Sequence, residues 1–200
     1  MRGAVLTGAI VLAICGAVPR PAAAAQDFSA LAVLDLDGTA VRPLASMPAN
    51  VRGVVFVFTR TDCPIANRYA PDLERLQRRA AGASVDFWLV FVDPGEHAAD
   101  IREHLRSFGY GGRVLRDPDH VLVRAAGATI APEAAVFVRE ARVPRLIYLG
   151  RIDDRYLAPG RMRPAATAHD LEHAIDSLRD ARRLALRETQ AVGCVIADLR

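Results

Sequence analysis

Phe56-Val57-Phe58-Thr59-Arg60-Thr61-Asp62-Cys63-Pro64-Ile65-Ala66-Asn67-Arg68-Tyr69-Ala70-Pro71 is the stretch on which the reading of this chain turns. The run 54–59 has the β-branched and aromatic content of a buried strand. Pro64 suits the first position of a helix, where the N–H it lacks would have no partner. Ile65, Tyr69, Leu73 and Leu76 recur at helical spacing, so a helix is expected over 64–80, kinked at Pro71. A cysteine is thus set where a strand hands over to a helix. The helix start carries partial positive charge and unpaired N–H groups, which favour a thiolate there. Arg60 and Arg68 add positive charge nearby, whereas the Asp62 carboxylate opposes a second negative charge. The stretch reads as the seat of a nucleophilic or redox-active cysteine, with Arg60 and Arg68 as the anion-stabilising candidates.

Strands and helices alternate outward from this point. Asp37-Gly38 is a hairpin-type turn signal between 31–35 and 39–44. The nearly unbroken apolar run 85–93 predicts a strand covered on both faces. A helix is expected over 96–108, with Ile101, Leu105 and Phe108 inward and Gly109 as its stop. A short strand at 114–115 and a helix over 119–126 follow, then a hairpin from 134–139 and 145–148. Thr167-Ala168-His169-Asp170 reads as a capping box opening a last helix through Leu184, and 153–166 reads as a long loop.

The beginning of the chain points to export. Ala4–Val18 is apolar and uncharged after Met1-Arg2-Gly3, and 21–25 supplies the small residues that signal peptidase reads. The run is shorter than the roughly 20 residues of a membrane span. Residues 1–25 are therefore read as a signal peptide, 26–186 as one domain and 187–200 as a tail, in a protein of the periplasm or the exterior with no stable membrane span after cleavage. Cleavage removes Arg2 and Arg20, lowering the formal charge from +3 to +1. With no basic run either, nucleic acid is not an expected partner.

Cleavage also removes Cys15 and leaves Cys63 and Cys194, an even number for an oxidising compartment. Three readings of Cys194 stand side by side. It resolves an oxidised Cys63; it closes a permanent bridge over a loop of about 130 residues, contributing about 2–4 kcal/mol; or it is a buried apolar residue among Val192, Val195 and Ile196. Asp153-Asp154, flanked by Arg151 and Arg155, reads as a solvated, self-neutralised turn. His97, His104, His120, His169 and His173 lack the companions of a zinc site, and no metal or other cofactor is expected.

The order of elements, the cysteine at the strand-to-helix junction and the proline eight residues later resemble the thioredoxin-like redoxins. Thr129-Ile130-Ala131-Pro132 sits where that family carries a cis-proline loop. The segment between Cys63 and Pro132 is similar to exported TlpA-type and AhpC/TSA-type redoxins, as is Asp35–Val41 to their N-terminal hairpin. The resemblance spans roughly 28–184. It implies an α/β fold with a central mixed sheet flanked by helices, an N-terminal hairpin extension and an inserted strand–helix. It also implies that Thr61, Pro64, Ala131 and Pro132 face the substrate.

Departures from the family pattern are equally specific. Ala66 stands where a thioredoxin has its second cysteine, so resolution requires a remote or external thiol. Arg60 stands where a peroxiredoxin has a peroxide-binding Thr or Ser, and Asp62 stands where thioredoxins have tryptophan. The cysteine loop holds one cysteine, against two in the copper chaperones. The expected activity is that of a thiol-dependent oxidoreductase: Cys63 reacts with a peroxide or a protein disulfide, Cys194 is the possible resolving thiol, and an external thiol is the reductant. A non-catalytic binding module and a copper-handling protein are the alternatives.

Overall fold

The computed structural model describes residues 28–140, 143–179, 185–197 and 199. The segment 1–25 read as a signal peptide and the last residues of the expected final helix, 180–184, lie outside them. A 3-10 turn, Phe28–Ala30, leads into β1 (Val33–Leu34) and β2 (Ala40–Val41). Then come β3 (Gly53–Thr59), α1 (Pro64–Arg68), α2 (Ala70–Gly82), β4 (Val85–Phe91), α3 (Ala98–Phe108), β5 (Arg113–Arg116) and α4 (Val121–Ala126). The remainder is β6 (Ile130–Ala131), β7 (Glu133–Val138), β8 (Arg145–Gly150), β9 (Tyr156–Ala158), β10 (Arg161–Met162), α5 (Asp170–Ser177), β11 (Arg187–Glu188) and β12 (Cys194–Val195).

All seven residues of β3 are buried, and the strand sits inside the eight-stranded sheet β11-β8-β7-β3-β4-β5-β1-β2. It runs parallel to β4 and antiparallel to β7, which makes the sheet mixed. Side chains alternate between faces, as the pleat requires. Val55 and Val57 join Leu73 and Leu76 of α2, Ile101 of α3 and Leu171 and Ile175 of α5 in one core. Val54, Phe56 and Phe58 join Leu122 and Val123 of α4 in the other. The helices therefore cover both faces, which explains the unbroken apolar runs of β3 and β4.

The expected helix over 64–80 is divided at Tyr69, immediately before Ala70-Pro71, because Pro71 has no N–H to continue the ladder. Four expectations need correction. On α3 Leu105 packs half-buried against the core as expected, but the second buried residue beside Ile101 is His104, packed against Phe91, Phe108 and Tyr110, while Phe108 is exposed. Thr167 does not cap α5. Its N–H and hydroxyl donate to the Asp154 carboxylate, and His169 occupies the N-cap position. The supposed loop 153–166 contains the β9–β10 hairpin. Finally, Asp153 and Asp154 are buried. Asp153 accepts from the Tyr69 hydroxyl at 2.6 Å and from the Arg155 N–H at 2.9 Å. The bonds from Thr167 and Ala168 hold the Asp154 carboxyl well below its usual range.

The segment read as a tail is attached at both of its strands. β11 extends the main sheet parallel to β8, and β12 pairs antiparallel with β6.

Candidate functional site

Cys63 occupies the N-cap position of α1, with Pro64 at N1 and no side-chain cap bond of its own. The β3–α1 turn carrying it is clamped from two directions. Glu96, in the β4–α3 connection, accepts from the Thr61 N–H at 2.6 Å and its hydroxyl at 2.8 Å. Asn67 Nδ2 donates to the Thr61 carbonyl at 2.9 Å. Burial raises the Glu96 carboxyl above its usual range against the pull of the Thr61 bonds. Its second oxygen is shut from solvent with no hydrogen-bond partner. Glu96 escaped the sequence reading because nothing local links it to a residue 35 positions earlier.

The Cys63 thiol is fully buried and donates to the Ala131 carbonyl at 3.2 Å. The peptide bond after Ala131 is cis, so Pro132 lies where the sequence placed it, beside the cysteine loop. Glu133 fixes this loop by accepting from the Thr129 and Ile130 N–H groups at 2.8 and 3.3 Å. Ala131 is also the register partner of Cys194 across β6–β12. The two thiols, 131 positions apart in sequence (194 − 63), thus meet at one backbone residue. Both are free. Cys194 is pushed up to about 12 by burial first, then by its interactions with Cys63 and the Asp62 charge, while Arg60 pulls it down. Cys194 is accordingly held as a neutral thiol next to Cys63.

The two arginines are placed differently from each other. Arg60 donates through Nε and Nη2 to the two oxygens of Asp62 at 3.0 and 2.9 Å, and reaches Asp93 at 2.8 Å. Its charge is spent on two carboxylates. Arg68 approaches the Met162 sulfur at 3.7 Å on the surface. The Tyr110 hydroxyl donates to the Ala66 carbonyl at 3.4 Å. Burial, with a contribution from Cys63, pushes this phenol up to about 12. Neither Tyr110 nor its nearness to the thiol was readable from a position in an α3–β5 connection.

His120 is the N-cap residue of α4; it is buried, with left-handed backbone, and its Nε2 lies 2.8 Å from the Val92 carbonyl. With Arg60 and Asp93 it lines a polar cavity of about 210 Å³, closed on another side by Ile196 and Ala197. Among the described residues, no group of three His, Cys, Asp or Glu side chains is arranged to hold a metal ion. No described helix is long and apolar enough to cross a membrane.

No protein-family model and no curated protein matches the chain. Solved structures do. An uncharacterised conserved protein from Geobacillus kaustophilus is similar at TM-score 0.70 and 22% identity, over 86% of this chain and 89% of that one. A hypothetical protein from Sinorhizobium meliloti is similar at 0.68 and 22%, over 83% and 89%. A secreted Mycobacterium tuberculosis disulfide oxidoreductase homologous to E. coli DsbE is similar at 0.51 and 17%, over 75% and 97%. The fold is thioredoxin-like. In thioredoxin-fold terms, Cys63 stands at the strand-to-helix junction, Ala66 replaces the second cysteine of the helix, and the only other described cysteine reaches the site from the far end of the chain.

Proposed function

We propose that this chain is a thiol–disulfide oxidoreductase whose reactive pair is Cys63 and Cys194. The observation that carries the proposal is the placement of Cys194 opposite Ala131, whose carbonyl accepts from Cys63. A thiol beside Cys63 supplies what Ala66 cannot. The Cys63 thiolate attacks one sulfur of a substrate disulfide, and the other sulfur leaves as a thiolate that takes a proton. Cys194 then gives up its proton and attacks the Cys63 sulfur. The second substrate thiol is released and a Cys63–Cys194 disulfide remains, which an external thiol reductant returns to two thiols. The likeness to a secreted disulfide oxidoreductase supports this reading at the level of fold.

Peroxide is the second reading, favoured by the complete burial of Cys63, which a small oxidant reaches more easily than a protein does. Cys63 would be oxidised to a sulfenic acid with release of an alcohol or water. Condensation with Cys194 would form the same disulfide and one water. Thr61 offers little to a bound peroxide, since its hydroxyl already donates to Glu96. Export, supported by the apolar segment 4–18, places the pair in a compartment where such disulfides persist.

Oxidised glutathione distinguishes a resolving pair from two independent thiols. Reduced protein is expected to release two glutathione thiols and lose two hydrogens, whereas the Cys194→Ser variant stops at a Cys63–glutathione adduct. A wild-type protein that also stops at the adduct overturns the proposal.

A further inference from the structure

The segment that brings Cys194 to the site also closes it. Residues 187–189 are fixed to the edge of the main sheet: β11 pairs with β8, the Thr189 N–H donates to the Leu149 carbonyl at 3.0 Å, and Thr189 Oγ1 lies 2.7 Å from the Tyr148 hydroxyl. Beyond Thr189 the attachment is of another kind. β12 lies along Ile130–Ala131 as a two-residue antiparallel strand, continued by the Ile196 N–H donating to the Thr129 carbonyl at 2.9 Å. Four consecutive residues, 193–196, define this contact. Gly193 passes so close to Ala131 that a Cβ would lie 2.1 Å from its carbonyl oxygen, so only glycine fits. Cys194 presents its thiol to Cys63. Val195 faces solvent at 69% exposure, and Ile196 is buried at 3% in the core that holds Ala128, Ala131 and Leu122.

This arrangement sets a condition on the reaction proposed above. While β12 is in place, Cys63 is fully buried and the backbone edge beside it is occupied. A disulfide carried by a protein cannot reach the sulfur past that strand. We propose that residues 191–197 are a displaceable strap that mimics the substrate. The strap lifts from Thr129–Ala131 while 187–189 stay fixed, and an extended segment of a partner protein takes its place in the same antiparallel register. The geometry gives that segment a pattern: a glycine or other very small residue, then the cysteine of the disulfide, then any residue, then an aliphatic residue for the site that Ile196 fills. This assignment rests on the redox reading of Cys63 and names the substrate class for it.

The sequence of events follows from one edge serving two strands. With the strap lifted, Cys63 attacks the segment's disulfide, and a Cys63–segment bond forms as the far thiolate leaves and takes a proton. When the strap returns, Cys194 loses its proton and attacks the Cys63 sulfur, breaking that bond. β12 simultaneously reoccupies the backbone edge. Resolution and product release become a single exchange of strands.

The test uses the full chain with Cys15→Ser and Cys194→Ser, which leaves Cys63 as the one thiol and stops at the mixed disulfide. Two peptides, Ala-Gly-Cys-Val-Ile-Ala and Ala-Gly-Cys-Val-Asp-Ala, are activated at cysteine as disulfides with thionitrobenzoate, whose release is coloured. Dithionitrobenzoate itself serves as the small probe. The isoleucine peptide is expected to react at least about tenfold faster than the aspartate peptide, the difference between filling and failing to fill an apolar site. Adding Ile196→Ser, or the milder Ile196→Val, should loosen the strap and raise the rate with the isoleucine peptide. Equal rates for the two peptides, with a normal reaction of dithionitrobenzoate, overturn the strap proposal and leave the redox reading intact. A Cys63 inert to all three reagents overturns the redox reading, and the strap proposal with it.

Discussion

Strands β3 and β12 both end at the candidate site, and they are built in opposite ways. β3 is seven residues long, buried throughout, and bonded on both sides within the sheet. β12 is two residues long, pairs on one side, and exposes Val195. One cysteine is held by a scaffold that opens only with the whole fold. The other is carried on an element that buries few apolar side chains, chiefly Ile196 and Ala191. Local opening free energies scale with what is unpacked, so the two thiols belong to different tiers of stability. On the proposed redox reading, that difference gives the buried Cys63 and the half-buried Cys194 a route into exchange chemistry.

Phe56→Ala should lower the unfolding free energy by about 3–5 kcal/mol, because the ring is fully buried between β4 and β7 and stacks edge-on to Phe137. Ile196→Ala removes a residue of similar burial, yet its effect should stop at about 2 kcal/mol, since the strap detaches before the domain unfolds. Denaturant titration of both variants checks this, and equal losses would mean that the strap belongs to the cooperative core.

Glu96→Ala comes next, at about 1–3 kcal/mol, because it strips the Thr61 N–H and hydroxyl of their acceptor beside Cys63. Hydrogen exchange at Thr61 should quicken in that variant while exchange in β4 is unchanged. Raising the pH also separates the two elements. The folded Cys194 thiol lies near 12, above its ordinary 9.0, so the folded state binds more protons in between and strap closure weakens as pH rises from about 9 toward 12. Cys63 protection in native-state exchange should fall over that window in wild type and not in Cys194→Ser. The smallest effect belongs to Arg68→Ala, within about 0.5 kcal/mol of wild type, since its guanidinium contacts a methionine on the surface.

The scaffold and the nucleophile were legible because their signals are local. Apolar runs mark β3 and β4, Pro64 marks the start of α1, and Pro71 marks the division between α1 and α2. The thioredoxin-like resemblance supplied the position of Pro132, which no local signal gives. What sequence could not supply were partners distant in the chain. Asp153 is buried because Tyr69 reaches it across 84 positions, and Arg60 is neutralised by Asp93 as well as by its neighbour Asp62. Short motifs misled where a stronger acceptor was available: Thr167 has the spacing of a capping box, but Asp154 takes both its donors. Cys194 shows both limits. Its even pairing with Cys63 was readable from composition, while its seat opposite Ala131 depends on a strand of two residues that propensity alone does not predict.

The central claim is that Cys194 is the redox partner of Cys63. Mild oxidation of the reduced full chain with a limiting disulfide, followed by proteolysis and mass analysis without reduction, tests it most directly. One dominant linked peptide joining Cys63 to Cys194 is expected, formed within single molecules and reversed by a dithiol. Thiols that remain separate, or cysteines that link different molecules, would contradict it.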